Sequence, residues 1–235
     1  MTRKSLIKLS EEIPNFPTLR LIEEYKYSNS PQGKKEQEDM LGELKGLLSE
    51  AYLETMPTSE QAFQVPEPTA LYYDHDLVLE QLDLSSISEN SMVVKGNLSV
   101  DHLIIDAEID INTSLVVMGN LEAENFICSG SDIYVAKTIH VANSFIAHYN
   151  HGRIRAQKLF AHLLLTHDYW GFEIPEYKAN KNCHWQDQKA FPYSEVIQPE
   201  LIESMTDNEG KVQQWPNFEK ICAYIETGKT ILNNT

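Results

Sequence analysis

Histidines are concentrated in one short part of this chain. Five of the eight lie within 28 residues: His140, His148, His151, His162 and His167. An imidazole titrates near neutral pH, so it can act as a general base or bind a metal. His148 precedes Asp168 by 20 residues, which is about one period of the repeat described below. The spacing therefore predicts that these two side chains lie close enough to form a histidine–carboxylate pair.

The rest of the sequence offers this pair little of what catalysis requires. No nucleophile stands beside it, and no HExxH motif, Gly-rich phosphate loop or GxSxG elbow occurs. The cysteines, Cys128, Cys183 and Cys222, are too far apart for a zinc site, so we expect them to be reduced and structural. We therefore predict a protein that is not an enzyme and that holds no cofactor and no metal. The alternative is an enzyme that uses His148 and Asp168.

Acidic residues outnumber basic ones, 35 to 19, which gives a formal net charge of −16. Phosphate binding needs clustered Lys and Arg, so this charge argues against a nucleic-acid partner. It suits a basic protein as partner, or else it only maintains solubility. Residues 71–132 hold twelve acids and a single base, Lys95, whereas residues 133–170 hold four bases and a single acid, Asp168. The charge is therefore predicted to change sign along the central region.

Two groups of side chains are candidates for binding a partner. The acidic candidates are Asp106, Glu108, Asp110, Glu122 and Glu124. The aromatic candidates are Tyr149, Tyr169 and Trp170, beside the loop of residues 148–152. Aromatic side chains often anchor protein interfaces, and the alternative here is that they seal the end of the fold beneath the C-terminal segment.

An internal repeat organises the central region. Val94-Lys-Gly-Asn-Leu98-Ser-Val100 and Val117-Met-Gly-Asn-Leu121-Glu-Ala123 share their apolar alternation and their Gly-Asn pair, 23 residues apart. Weaker copies begin at Val78, Val135 and Arg155, and each copy is followed by a second apolar element. Two short strands in each turn, repeated in register, indicate the coils of a β-helix rather than a sandwich.

We therefore predict a mainly β fold: a short right-handed parallel β-helix of about five coils with α-helical flanking segments. The expected inward ladder consists of Leu82, Leu98, Leu121, Ile139 and Leu159. Asn125 and Asn143 fall at matched turn positions, so their amides are expected to stack along the axis.

The flanks of the repeat are read from helical periodicity and prolines. The predicted domains are a helical N-terminal segment and connector (1–70), the solenoid (71–170) and an irregular and helical C-terminal cap (171–235). Helices are predicted at about 18–27, 36–56, 199–205 and 216–227. Residues 170–193 show no clear element, and the C-terminal segment is expected to cover the end of the solenoid. Because neither a signal peptide nor a membrane span is evident, we expect a cytoplasmic protein.

The Val-x-Gly-Asn-Leu-x-(Val/Ala) pattern, with the loop His148-Tyr-Asn-His-Gly152 and the run from Leu163 to Asp168, resembles the bactofilin-like, polymer-forming β-helix repeat. The resemblance covers residues 76–170. Bactofilins assemble end to end through exposed coil edges, so it implies a self-assembling scaffold as one alternative. A looser likeness to solenoids of bacterial toxin and immunity systems implies a binding role. The predicted function is accordingly a non-enzymatic binding module, a bacterial immunity protein that neutralises a basic toxin through an acidic face.

Overall fold

The computed structural model of the protein describes residues 1–47, 65–89, 91–106, 113–148, 151–167, 169–183, 193–206, 210 and 212–233. The chain divides into two compact units, residues 3–70 and residues 71–235, the latter together with residues 1 and 2. A short strand, β1 (Thr2–Ser5), stands at the start of the chain. In the described ranges, no helix is both long enough and apolar enough to cross a membrane.

The first unit is helical. Its helices are α1 (Leu6–Glu12), α2 (Arg20–Ser28) and α3 (Pro31–Leu47). Ser5 caps α1, because its hydroxyl accepts a hydrogen bond from the backbone N–H of Lys8 at 3.2 Å. The helix predicted at 18–27 is confirmed as α2. The one predicted at 36–56 coincides with α3 up to residue 47, and residues 48–64 lie outside the described part of the chain.

The second unit is a β-solenoid of about five turns built from two parallel sheets, which confirms the predicted fold class. The first sheet contains β2 (Thr69–Tyr73), β4 (Ser91–Val94), β6 (Ser114–Val117), β8 (Asp132–Val135), β10 (Arg153–Arg155) and β12 (Gly171–Glu173). The second sheet contains β3 (Leu77–Asp83), β5 (Leu98–Ile105), β7 (Leu121–Cys128), β9 (Thr138–His148), β11 (Lys158–His167) and β13 (Glu176–Cys183). The chain alternates between the sheets, so each coil contributes one strand to each.

The Gly-Asn pair of the repeat forms the corner between the two sheets. The Asp76 carboxylate accepts a hydrogen bond from the backbone N–H of Asn97 at 2.7 Å, and the Asn97 side chain accepts one from the N–H of Asn120 at 2.9 Å. Asn120 in turn accepts one from the N–H of Thr138 at 3.4 Å. A Cβ on Gly119 would lie 2.5 Å from the Asn97 side chain and 2.6 Å from a backbone oxygen. The repeated Gly-Asn pair therefore marks the same corner in successive coils, and these corners stack on one another.

The inward ladder is confirmed except at its first member. Leu98, Leu121, Ile139 and Leu159 pair in register through the second sheet. Leu77, not Leu82, pairs with Leu98, while Leu82 pairs with Ile104. The prediction for Leu82 is wrong because Asp76 takes the corner position that Asn97 holds in the next coil. The residue after that corner therefore enters the ladder.

The expected stacking of Asn125 on Asn143 is also wrong. The register shifts after Ala123, so that Asn125 pairs with Ser144. The Asn143 side-chain amide instead donates to the Glu124 carboxylate at 2.9 Å. A bulge of this kind changes which residues meet by one position, and the apolar pattern on either side does not reveal it.

Both sheets continue beyond residue 170. Strands β12 and β13 form where no clear element was expected, and Tyr177 takes the ladder position next to Leu159. Strand β13 has the sequence Glu-Tyr-Lys-Ala-Asn-Lys-Asn-Cys. Because most of these residues are polar, the apolar repeat pattern does not predict this strand. Cys183 ends the strand in register with Leu165.

The C-terminal segment packs on the side of the solenoid. It contains 3-10 turns at Tyr193–Glu195 and Pro199–Leu201, an antiparallel hairpin of β14 (Ile202–Thr206) and β15 (Val212–Pro216), and helix α4 (Phe218–Glu226). The helix predicted at 216–227 is thus confirmed, whereas 199–205 is a 3-10 turn followed by a strand. Asn217 caps α4 by accepting from the N–H of Lys220 at 2.8 Å, and Gly228 ends it at a φ of +72°.

A second apolar cluster shows what this segment covers. Its members on the solenoid face outward from the second sheet: Leu103, Ile105, Ile127, Ile146, Leu163, Leu165 and Cys183. Its members on the C-terminal segment are Val196, Ile197, Leu201, Ile221, Ile225 and Ile231. We call the outward solenoid members the covered half of the sheet. The C-terminal segment thus packs along the coils, where the apolar surface that needs burial runs, and its expected covering of the solenoid end stays a prediction.

Candidate functional site

The other half of the outer face of the second sheet is open to solvent. Because side chains alternate along a strand, the residue after each ladder position points outward. Two columns result, which together we call the exposed strip. The first column is Val78, Ser99, Glu122, His140, Phe160 and Lys178. The second column lies at the bulges and contains Glu80, Asp101, His102, Glu124, Asn143, His162 and Asn180.

Charge is sorted along the exposed strip. Its acids are Glu80, Asp101, Glu122 and Glu124, all on the first three strands of the sheet. Neighbouring strands are about 4.8 Å apart, so these carboxylates lie within about 10 Å of one another along the axis. The later strands contribute His140, His162 and Lys178 instead. The acids of residues 71–132 are therefore partly gathered on one solvent-facing surface, whereas the four bases behind the predicted change of sign, Lys137, Arg153, Arg155 and Lys158, are not on the exposed strip.

Glu124 is held in place from both sides. Its carboxylate lies 3.2 Å from Nδ1 of His102 on the preceding strand and accepts from the Asn143 amide at 2.9 Å on the next. Farther along, the side chains of His162 and Asn180 lie 3.0 Å apart. These contacts between coils restrict the side chains, which lowers the entropy lost when a partner binds.

Two arginines of the later coils share one carboxylate on the other sheet. Nη2 of Arg153 donates to the Asp132 carboxylate at 2.8 Å, and Nη2 of Arg155 donates to it at 3.2 Å. Asp132 is buried, and the guanidinium of Arg155 also lies over the ring of Tyr134, 5.5 Å from its centroid. This cluster joins neighbouring coils of the first sheet and leaves the acids of the exposed strip without these cations.

Asp106 does not belong to an exposed acidic face, and the expectation that it does is wrong. It is completely buried, and its carboxylate accepts hydrogen bonds from the backbone N–H groups of Ser129 at 3.0 Å and Ser131 at 2.9 Å. Burial raises the pKa of the Asp106 carboxyl group, although these two hydrogen bonds act in the opposite direction. Its position fixes a corner of the next coil. Glu108 and Asp110 lie outside the described residues.

The aromatic candidates are separated by the structure. Tyr169 is completely buried in the interior of the solenoid, so the expectation of an exposed recognition residue is wrong there. A Cβ on Gly152 would lie 2.7 Å from the Tyr169 ring, which shows how closely that corner packs. Trp170, the next residue, is 64% exposed. Tyr149 lies outside the described residues.

His148 meets a second histidine. Strand β9 has one residue more than β11 at a bulge, so His148 pairs with His167. Asp168, its expected partner, lies outside the described residues. The His148 ring stacks on Phe218 of α4, with centroids 4.2 Å apart and planes 11° apart. Burial and the neighbouring His167 lower the pKa of His148 to about 4, so its ring is neutral at physiological pH.

The two histidines line a cleft of about 510 Å³ between the ends of β9 and β11 and the C-terminal segment. Glu203, Trp215, Phe218, Glu219 and Cys222 also line it. Burial raises the pKa of the Cys222 thiol to about 11, so this cysteine is not an activated nucleophile. Within the described ranges, no group of three or more His, Cys, Asp or Glu side chains is arranged to hold a metal ion.

Sequence reasoning found the histidines of this cleft and missed its other wall. Glu203, Trp215 and Glu219 come from the hairpin and the start of α4, more than 30 residues after His167. The amphipathic pattern of α4 was readable, and it correctly placed Phe218 on an apolar face. No local signal showed that this face would lie against His148.

Comparison with known proteins gives no family assignment. No protein-family model matches the chain, and neither a curated protein nor a solved structure shows significant similarity to it. The architecture is that of a β-helix repeat protein. The likenesses to bactofilins and to toxin-immunity solenoids therefore rest on the repeat pattern alone.

Proposed function

We propose that this protein is a cytoplasmic, non-enzymatic binding module that engages a basic protein through the exposed strip. The observation that carries the proposal is the gathering of Glu80, Asp101, Glu122 and Glu124 on the half of the sheet that the C-terminal segment leaves open. A flat surface with one sign of charge accelerates encounter with an oppositely charged partner and suppresses encounters with acidic ones.

The finer proposal is that the module is a bacterial immunity protein and that its partner is a basic toxin. Support comes from the acidic strip and from the looser likeness of the repeat to immunity solenoids. Neutralisation would then follow from masking a cationic surface that the toxin needs for its own target. If so, the captured partner arrests bacterial growth when it is produced alone, and growth recovers when this protein is produced with it.

Charge reversal on the strip tests the proposal. The wild-type protein and the variant Glu122→Lys/Glu124→Lys are used to capture partners from the native lysate at low and moderate salt, and the affinity for the purified partner is then measured. We expect at least about tenfold weaker binding by the variant and a shallower dependence on salt. Both effects follow from the loss of long-range electrostatic attraction between the strip and the partner.

The matched control is Glu23→Lys/Glu24→Lys, which makes the same change of net charge on exposed positions of α2. It should bind the partner nearly as well as the wild type does. If both variants lose affinity equally, net charge rather than the strip governs binding. If neither variant loses affinity, the strip is not the interface.

A second candidate function is self-assembly through the ends of the solenoid. Within the described residues, β3 and β13 are the terminal strands of the second sheet. Strand β3 carries Glu80 and Asp83, whereas β13 carries Lys178 and Lys181, so stacking one copy on the next brings opposite charges together. Growth of light scattering with concentration, abolished in Lys178→Glu/Lys181→Glu, supports this function. A monomer mass at every concentration contradicts it.

A further inference from the structure

The cleft beside His148 has a chemical character of its own, distinct from the exposed strip. It has the size of a small-molecule site, which typically ranges from about 300 to 1,000 Å³. One wall is the end of the second sheet, with His148 and His167 on neighbouring strands. The other wall is made by the hairpin β14–β15 and the start of α4.

Its charge is negative. Glu203 and Glu219 line the cleft, and no lysine or arginine is present among the described residues that line it. Glu203 accepts a hydrogen bond from the Asn217 side chain, which orients its carboxylate. Both glutamates are exposed, so their carboxylates can reach an incoming ligand. The arrangement attracts cations and repels anions.

Its walls are aromatic as well. Phe218 and His148 stack face to face, and the ring of His167 lies 5.8 Å from that of Phe218. Trp215 and Phe218 both border the cleft. Aromatic faces attract cations through the ring quadrupole, and a planar guanidinium stacks on such faces better than a compact, strongly hydrated ammonium.

Because the His148 ring is neutral, it does not repel a cation. A protonated imidazole would repel it, but burial keeps the pKa of this ring near 4. Its Nε2 has no hydrogen-bond partner among the described residues and is shielded from water.

We propose that this cleft binds an organic cation that carries a guanidinium group, held by the carboxylates of Glu203 and Glu219 and by the aromatic face of Trp215. This ligand chemistry has two sources: a free guanidino compound, or the side chain of an arginine in a polypeptide. The inference does not depend on the proposed function of the strip, because the strip and the cleft share no lining residue.

Calorimetric titration with N-acetyl-arginine methylamide tests the proposal, and the N-acetyl-citrulline analogue is the control. The two ligands have nearly the same shape, but the citrulline analogue is neutral. We expect at least tenfold tighter binding of the arginine compound, because only it has a charge for the carboxylates to neutralise. Equal affinity for the two ligands, or no heat of binding for either, overturns the proposal.

Two variants locate the binding. Glu203→Gln/Glu219→Gln removes both charges with little change in shape and should weaken binding of the arginine compound at least tenfold. Glu122→Gln/Glu124→Gln makes the same change on the exposed strip and should leave the affinity within about twofold. Thermal melting establishes that both variants are folded. If the strip variant loses affinity and the cleft variant does not, the ligand binds elsewhere and the proposal fails.

A free guanidino compound and an arginine side chain are distinguished by what is attached to the guanidinium group. Butylguanidine represents a free guanidino compound, and an acetyl-Gly-Arg-Gly amide, which carries the same single charge, represents an arginine within a polypeptide. Tighter binding of butylguanidine, lost in the cleft variant, assigns the site to a small molecule. Tighter binding of the peptide, lost in the same variant, assigns it to an arginine side chain of a protein partner. If the cleft variant binds both as the wild type does, the site is not this cleft.

Discussion

The two halves of the outer face of the second sheet are built by the same strands, yet they meet different surroundings. In the covered half, residues such as Ile127 and Leu163 are completely buried under the C-terminal segment. In the exposed strip, the same strands present polar and charged side chains, for example Glu122 and His140. Before its bulge, a strand of this solenoid is buried on its inner face only. After the bulge, it is buried on both faces.

The difference is visible in the residue pattern once the structure is known. Before the bulge, β7 alternates between buried and exposed positions, as Leu121, Glu122 and Ala123 illustrate. After it, the residues of the strand are buried on both faces of the sheet and no longer alternate. Continuous apolar runs are typical of strands covered on both sides. Each continuous apolar run therefore identifies a surface that the C-terminal segment covers. Each alternating stretch identifies a surface that faces solvent.

The strongest test of this contrast places a charge in the covered half. Ile127→Asp should lower the free energy of unfolding by about 3 to 5 kcal/mol, because the carboxylate would be buried among the apolar side chains of the second cluster. The matched change, Val78→Asp, is on the exposed strip, where Val78 is 67% exposed, and should cost less than about 1 kcal/mol. Urea unfolding monitored by circular dichroism measures both. Similar losses in the two variants would mean that the C-terminal segment does not cover Ile127.

A smaller effect is expected at the inward ladder, which serves both halves equally. Leu121→Ala removes a completely buried side chain in the middle of the ladder and should cost about 2 to 5 kcal/mol. Val78→Ala is the control, since it shortens an exposed side chain. The free energy of unfolding decides the outcome, and a negligible loss for Leu121→Ala would contradict the register of the ladder.

The smallest of these effects depends on pH and lies at the margin of the covered half. His148 has a pKa of about 4 in the folded protein, against 6.5 in an unfolded chain. Between these values the unfolded state binds more protons, so protonation favours unfolding and stability falls as the pH drops below 6.5. The loss should reach roughly 2 kcal/mol by about pH 5 and vanish above neutral pH.

His148→Gln removes this titrating group and should flatten the fall in stability between neutral pH and about pH 5. Unfolding midpoints in urea at several pH values, compared between the variant and the wild type, isolate the contribution of this one ring. His140→Gln, an exposed histidine on the strip, serves as the control. A wild-type slope in the His148 variant would show that the ring is not buried in its neutral form.

Most of the fold follows from the repeat because each coil contacts its neighbours in the same way. The Gly-Asn corner and the apolar alternation repeat together, so Leu98, Leu121, Ile139 and Leu159 were placed correctly. The first coil was misread because Asp76 replaces the asparagine while preserving its hydrogen bonds to the next corner. The last coil was missed because its strands are polar. A search for residues that are chemically equivalent to the corner asparagine, rather than identical to it, would have identified the first coil.

The candidate site was predictable only in part. Glu122 and Glu124 lie on the exposed strip, as alternation along a strand requires, whereas Asp106 follows its strand and is drawn inward to bind two backbone N–H groups. The pairing of His148 with His167 depends on a bulge of one residue. An alignment of the repeats does not show this bulge. The second wall of the cleft depends on how the C-terminal segment folds back, and this long-range contact leaves no local trace in the sequence.

The C-terminal segment also constrains how this protein can change in evolution. Solenoids commonly grow and shrink by duplication or loss of single coils, because each coil needs only its neighbours. Here one continuous apolar surface, from Leu103 on β5 to Cys183 on β13, is matched by a cover of fixed length. An added coil would leave a row of apolar residues without cover, and a lost coil would leave the cover overhanging. The length of the C-terminal segment therefore limits the number of coils that the solenoid can have.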